Sequence, residues 1–239
     1  MRIRNTALIV AVASVMLGTA ALPAAAKPGS VPPPPAPDQY RTAPAAGVGA
    51  AELLAEVEHC TRISKGDYST DRGRPASIPV CEHDGAVFWK ADMDIDCDGR
   101  RSTRCNSGTD PSFQPATAFT GSDGRYLDAA ELPFVVVPGP SPVWNYAASG
   151  IRGGSAAAII HDGKVVYGVV GDTGPSGIIG EASYAAAEAL GIDPDPATGG
   201  LASGVTYIVF KDSKVSPIES RAAAEELGEK LARRFVGEG

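Results

Sequence analysis

Asp172 and Glu181 stand nine positions apart in the stretch V-V-Y-G-V-V-G-D-T-G-P-S-G-I-I-G-E-A-S-Y, which begins at Val165. A protonated carboxyl and an ionised one on either side of a bond can share a hydrolysis, one as general acid and the other as general base. Their surroundings differ in the sense this needs. Glu181 is flanked by Ile178, Ile179 and Ala182, and apolar neighbours raise a carboxyl pKa, which suits an acid. Asp172 lies between Gly171 and Thr173, where backbone N–H groups can bond a carboxylate and keep it ionised, which suits a base. Each acid also has a plainer reading, Asp172 as the cap of its own turn and Glu181 as a charge favoured at a helix entrance. Their meeting in one glycine-rich stretch favours chemistry.

A second acidic feature is A-D-M-D-I-D-C-D-G, Ala91 to Gly99. A period of two turns Ala91, Met93, Ile95 and Cys97 toward a core and Asp92, Asp94, Asp96 and Asp98 to the opposite face. Four like charges so close should raise one another's pKa. Arg100, Arg101 and Arg104 follow directly and could neutralise them. Calcium is a second candidate, because D-I-D-C-D-G opens like an EF-hand loop. The twelfth position of that loop is Cys105 rather than a glutamate, so neither a metal site nor a cofactor is expected. A cationic substrate is the third candidate. Asp94 and Asp96 are its expected contacts, with Thr173 beside the candidate base and Trp144 and Tyr146 as a stacking platform, half-buried packing being the plainer reading of those two aromatics.

Regular elements must hold these groups. Val165 to Val170 is β-branched and aromatic, the composition of a buried strand. Gly171, Gly174, Pro175, Gly177 and Gly180 then predict a tight loop, with Asp172 at its entrance. Ser183 is placed as a helix N-cap and Gly191 as the glycine that ends that helix. Further strands are expected from Ile78, at Leu132 to Val137, at Ser155 to Ile160 and at Val205 to Phe210, with Asp162-Gly163 as a hairpin turn. A helix is expected over Gly49 to Cys60. Another should start with Ser216 as N-cap, Pro217 at its first position and Glu219 completing a capping box, and carry Leu227, Leu231 and Phe235 as its apolar stripe. The fold class is therefore mainly β with flanking helices, an α+β protein closed by a C-terminal amphipathic helix.

The N-terminus reads as an export signal over residues 1–26. Arg2 and Arg4 precede an apolar run, and Ala24-Ala25-Ala26 forms a small-residue cleavage site. Residues 27–48 are a proline- and alanine-rich arm, which leaves 49–239 as a single catalytic domain. Four cysteines in an exported chain suggest two disulfides. Three pairings are possible, and Cys60–Cys81 with Cys97–Cys105 is expected because both close modest loops. The formal charge is −7. An acidic chain without basic clusters is a poor partner for nucleic acid or an anionic membrane, and a secreted monomer is expected.

The order of strand, D-x-G-P, G-I-I-G and S-Y-A-A-A-E-A-L-G resembles the double-ψ β-barrel shared by barwin-like proteins, expansins and lytic transglycosylases of the rare-lipoprotein-A kind. Four segments, A-D-M-D-I-D-C-D-G, G-D-T-G-P (Gly171–Pro175), I-G-E-A-S (Ile179–Ser183) and V-T-Y-I-V-F (Val205–Phe210), are together similar to the chitosanases of glycoside hydrolase family 75. That resemblance implies a secreted, endo-acting, inverting enzyme. Its catalytic pair would be Asp172 and Glu181, and its substrate the cationic polysaccharide chitosan. A non-catalytic expansin-like wall-binding module and a peptidoglycan-cleaving lytic transglycosylase are the alternatives.

Overall fold

A computed structural model describes residues 47–238, so the expected export segment and nearly all of the proline-rich arm lie outside the described residues. The chain runs α1 (Ala50–Glu56), β1 (Thr61–Arg62), β2 (Cys81–His83), β3 (Ala86–Asp96), β4 (Phe134–Pro138), β5 (Ala156–His161), β6 (Lys164–Gly174), β7 (Glu181–Ser183), α2 (Tyr184–Leu190), β8 (Leu201–Phe210) and α3 (Arg221–Phe235). The strands follow the order β1-β2-β3-β7-β4-β6-β5-β8, and β3 also pairs with β8. That last pairing closes β3, β7, β4, β6, β5 and β8 into a six-stranded barrel, so that no strand of the ring is left with an open edge. Two seams of the ring, β3–β7 and β4–β6, are parallel and the others antiparallel. The expected β-rich α+β fold with a barrel core and a C-terminal helix is what forms.

Alternation along the strands sorts the core into two clusters. One gathers Val87, Trp89, Met93, Val135, Tyr207 and Val209, joined by Ala186, Ala187 and Leu190 of α2. The other gathers Phe88, Phe134, Ala158 and Ile208 beneath α1 and α3. Helix α3 lies close because Gly228 faces the Tyr167 ring, where a Cβ would come within 2.7 Å.

Local signals are met where they act locally. Ser183 caps α2 by accepting the Ala186 N–H at 3.3 Å, and Gly191 closes it at φ +79°. Asp162 (φ +46°) and Gly163 (φ +74°) form the β5–β6 turn with both residues left-handed, the backbone a tight hairpin demands. The expected disulfides Cys60–Cys81 and Cys97–Cys105 are both present.

Three expectations are corrected. Strand β6 does not stop at Val170 but runs through Asp172 to Gly174, and Glu181 opens β7, so both acids stand on strands. Gly171 had suggested a turn, yet its backbone stays extended and a Cβ there would meet the Phe134 ring at 2.5 Å. Close packing, not turning, demands that glycine. Helix α3 begins at Arg221 with Ser220 as N-cap, accepting from Ala223 N–H at 3.2 Å. The carboxylate of Glu219 is engaged elsewhere, accepting from the Ser122 N–H at 2.9 Å and from the Ser122 hydroxyl. The buried stripe of α3 is Ala224, Gly228, Ala232 and Phe235, with Leu227 and Leu231 packed along its flank.

Candidate active site

Register brings the two acids to one place. Val136 in β4 pairs with Asp172 of β6 on one side and with Glu181 of β7 on the other, and Glu181 pairs in turn with Asp94 of β3. Residues in register project to the same face, so Asp94, Glu181, Val136 and Asp172 form a row across four strands. A β-bulge makes this possible. Val135 pairs with Val170, but Val136 pairs with Asp172, so Gly171 is an extra residue in β6. In an unbroken ladder Gly171 would stand opposite Val136, and Asp172 would project from the other face, with Val170. With one strand between them the backbones of Asp172 and Glu181 stand about 9 Å apart, twice the usual interstrand spacing. Gly174, two residues past Asp172, leaves room for the Glu181 carboxyl, whose Oε2 lies 3.2 Å from where a Cβ would stand.

Asp94, Asp96, Asp98, Asp110, Ser112 and Glu181 line a cavity of about 310 Å³. Asp172 reaches the same cluster, since Asp96, Asp98 and Asp172 each bring a carboxylate oxygen within 4.8 Å of the others. A divalent cation could bridge oxygens so placed, and shared protons relieve the same repulsion. Asp94 of β3 is exposed, while Asp96 at its end is only 5% exposed and Asp98 just beyond it is half-buried. The acidic face of β3 is therefore the wall of a cleft and not a solvated surface. Among the described residues no salt bridge joins Asp92, Asp94, Asp96, Asp98, Asp110, Asp172 or Glu181 to a cation. The following arginines serve elsewhere: Arg104 pairs with Glu188 at 3.1 Å and Arg101 lies over the Phe113 ring.

Burial and mutual repulsion act together on these carboxyls. Glu181 is pushed up to about 8, first by burial and then by Asp94, Asp172, Asp98 and Asp110. Asp96 is raised well above the carboxylate range by burial, then by Glu181 and Asp172. Asp98 rises to about 6 through burial, although the Gln114 N–H, donating to its Oδ1 at 2.6 Å, pulls it down. Asp172, 6% exposed, is also raised by burial. Two backbone donors hold it back: Ala118 N–H and Thr173 N–H both donate to its Oδ1 at 2.7 Å. Mutual elevation along the D-x-D-x-D-x-D run was anticipated from spacing alone.

A family described as fungal chitosanase of glycosyl hydrolase group 75 matches residues 93–235, more than half of the chain. The chain belongs to that family. The group 75 match takes in Asp94, Asp96, Asp172 and Glu181. An endo-chitosanase of Aspergillus fumigatus is 32% identical over 142 residues, 54% of this chain and 60% of that relative. Endo-chitosanase B of Aspergillus oryzae is 30% identical over 200 residues, 72% of this chain and 83% of the relative. Endo-chitosanase C of the same species is 36% identical over 138 residues, which make up 33% of its own length.

Within this group 75 chain the other expected site residues divide. Thr173 contributes its backbone N–H to Asp172. Trp144 is 5% exposed, packs its ring 6.2 Å from that of Trp89 and donates its Nε1–H to Ser149 Oγ at 2.9 Å. The core has absorbed it, which corrects the expectation of an aromatic platform there. Tyr146 is half-buried against the same cluster and lines neither acidic cavity. Asp110 and the Ala118 N–H went unforeseen. Both lie in the irregular stretch before β4, where T-D-P reads only as a turn and a backbone donor leaves no mark in sequence.

Proposed function

We propose that this protein is a secreted endo-chitosanase that hydrolyses β-1,4 bonds between glucosamine units with inversion, Glu181 acting as general acid and Asp172 as general base. The observation that carries this reading is the row in which Glu181 and Asp172 flank Val136 within a cleft of unpaired acids. An inverting glycosidase holds its two carboxyls about 6.5–9.5 Å apart so that a water fits beyond the sugar ring, and a backbone spacing of about 9 Å across one intervening strand is compatible with that.

Each acid suits its role. Glu181 accepts no hydrogen bond from the described residues and faces other carboxyls, so it keeps its proton near neutral pH. It donates that proton to the glycosidic oxygen as the bond to the anomeric carbon breaks. Asp172, held by two N–H donors, takes a proton from the water that attacks the other side of that carbon. Charge then develops on an oxocarbenium-like centre in an electronegative cleft, where it is stabilised. Asp94, exposed at the end of the row, is placed to meet a sugar ammonium. Asp96, deeper in the same cavity, meets the substrate from below and shares a proton with its neighbours. The two disulfides suit an oxidising compartment, in line with an export signal over residues 1–26. No helix among the described residues is long and apolar enough to cross a membrane.

Reducing-end release from soluble chitosan, cellulose and peptidoglycan, assayed side by side, tests the reading. Chitosan alone should be cut, and NMR of the first products should show the α anomer. Retention at the anomeric carbon would remove Asp172 as base, and solubilisation of peptidoglycan without new reducing ends, chitosan being left intact, would move the protein to the transglycosylase class.

A further inference from the structure

A cavity of about 570 Å³ opens beside the catalytic one and shares Asp94 and Gly199 with it. Its volume is that of a small-molecule site. Asp71 and Arg74 stand at its rim, and Asp92 forms part of its wall. Asp92 is 4% exposed, and its Oδ1 is buried without any hydrogen-bond partner. Among the described residues no cation pairs with it. Arg74 reaches only Asp71, at 3.8 Å, and both are exposed. The backbone makes room for this carboxyl deliberately: Gly180, at φ +121°, lies so close that a Cβ would sit 2.0 Å from Asp92 Oδ1. From the strand behind, the Tyr207 hydroxyl donates to the Asp92 carbonyl at 2.8 Å and fixes the residue's backbone.

An unpartnered buried carboxyl is costly, and fold and sequence keep it only where something compensates. A sugar bearing an ammonium supplies both a positive charge and three donors. A sugar bearing an acetamide in its place brings no charge and more bulk, and leaves the carboxyl uncompensated, the situation in which a polar site rejects an analogue most strongly. We propose that this cavity is a subsite selective for an unacetylated glucosamine unit, with Asp92 binding the 2-ammonium group and Asp71 and Asp94 adding to the field around it. Its position against the catalytic cavity places that unit on the same polysaccharide chain as the bond being cut. The inference rests on the chitosanase reading and adds the residue that distinguishes glucosamine from N-acetylglucosamine.

The test is binding without turnover. Calorimetric titration of E181Q and of E181Q/D92N with a glucosamine hexamer and with its fully N-acetylated counterpart separates charge recognition from general sugar binding. The D92N change should weaken the glucosamine hexamer at least tenfold and leave the acetylated one unchanged, narrowing the ratio between them. In the otherwise wild-type enzyme the same change should raise KM on fully deacetylated chitosan more than it lowers kcat. D71N, on an exposed residue, should weaken the same ligand in the same direction but less, and it stands in should D92N fail to fold. An unchanged ratio in a folded D92N, or in D71N when D92N does not fold, overturns the subsite while chitosan hydrolysis by the wild type continues. If the wild type cuts no chitosan and E181Q binds neither hexamer, the chitosanase reading falls and the subsite with it.

Discussion

Asp172 is buried and Glu181 half-buried, and burial raises both, so what separates them is hydrogen bonding. Asp172 has two backbone N–H groups on one oxygen, and Glu181 meets only like charge. The pH dependence follows with its sign. In its proposed role as acid Glu181 must be protonated, so activity should fall as pH rises through about 8. In its proposed role as base Asp172 must be ionised, so activity should fall on the acid side as pH drops through a value above that of an ordinary aspartate. A kcat profile on soluble chitosan should show both limbs. E181Q and D172N should each lower kcat by at least about a hundredfold, the lower range for a general acid or base, with unchanged circular dichroism. A mild effect in either variant removes that residue from the mechanism.

At the level of strands and helices, the position of Asp172 depends on the extra residue at Gly171 and on the close approach of Phe134. G171A should therefore act on fold and function together. It should lower stability by about 1–3 kcal/mol, as overpacked core positions do, and reduce kcat as Asp172 is displaced; urea melts and kinetics read the two. Ser183 is a second such joint. Its hydroxyl accepts from Phe134 N–H at 2.9 Å, donates to the Leu132 carbonyl at 2.8 Å and caps α2. S183A should cost more than the roughly 1 kcal/mol of an ordinary cap, because it also leaves the buried Phe134 N–H unpaired. The contrast explains what could be read from the chain. A cap at Ser183 or a turn at Asp162-Gly163 is written in neighbouring residues. The bond from Ala118 to Asp172 joins residues 54 apart, and no local pattern encodes it. The glycines around Asp172 were legible as glycines, but whether one turns the chain or admits a ring depends on what packs against it. Trp144 illustrates the same limit, because an aromatic in a loop looks alike whether it faces a cleft or Trp89.

For the molecule as a whole, a cleft of raised carboxyls ties stability to pH. Asp92, Asp94, Asp96, Asp98, Asp172 and Glu181 all hold protons more tightly when folded than an unfolded chain would. Between about pH 5 and 8 the folded state thus binds more protons than the unfolded one, and stability falls as pH rises. The exposed acids Glu58, Asp123, Asp195 and Glu219 are shifted the other way, and their contribution is lost only as pH falls through the ordinary carboxylate range. Thermal melts in dilute buffer should give a higher Tm at pH 5 than at pH 8, and E181Q should flatten that slope and exceed the wild type at pH 8. A Tm that climbs with pH would contradict the electrostatic account of the cleft.

Because β4 stands between the strands that carry the two acids, the hairpin-like excursion from Pro175 to Ile178 has no part in spacing them. Lengthening it, for instance by a glycine-serine pair between the exposed Pro175 and Ser176, should leave the handedness of the newly freed sugar end as it was. Relatives in this lineage are accordingly at liberty to vary that excursion in size, while an extra residue in the five-residue strand beneath it would bring the reaction to a halt.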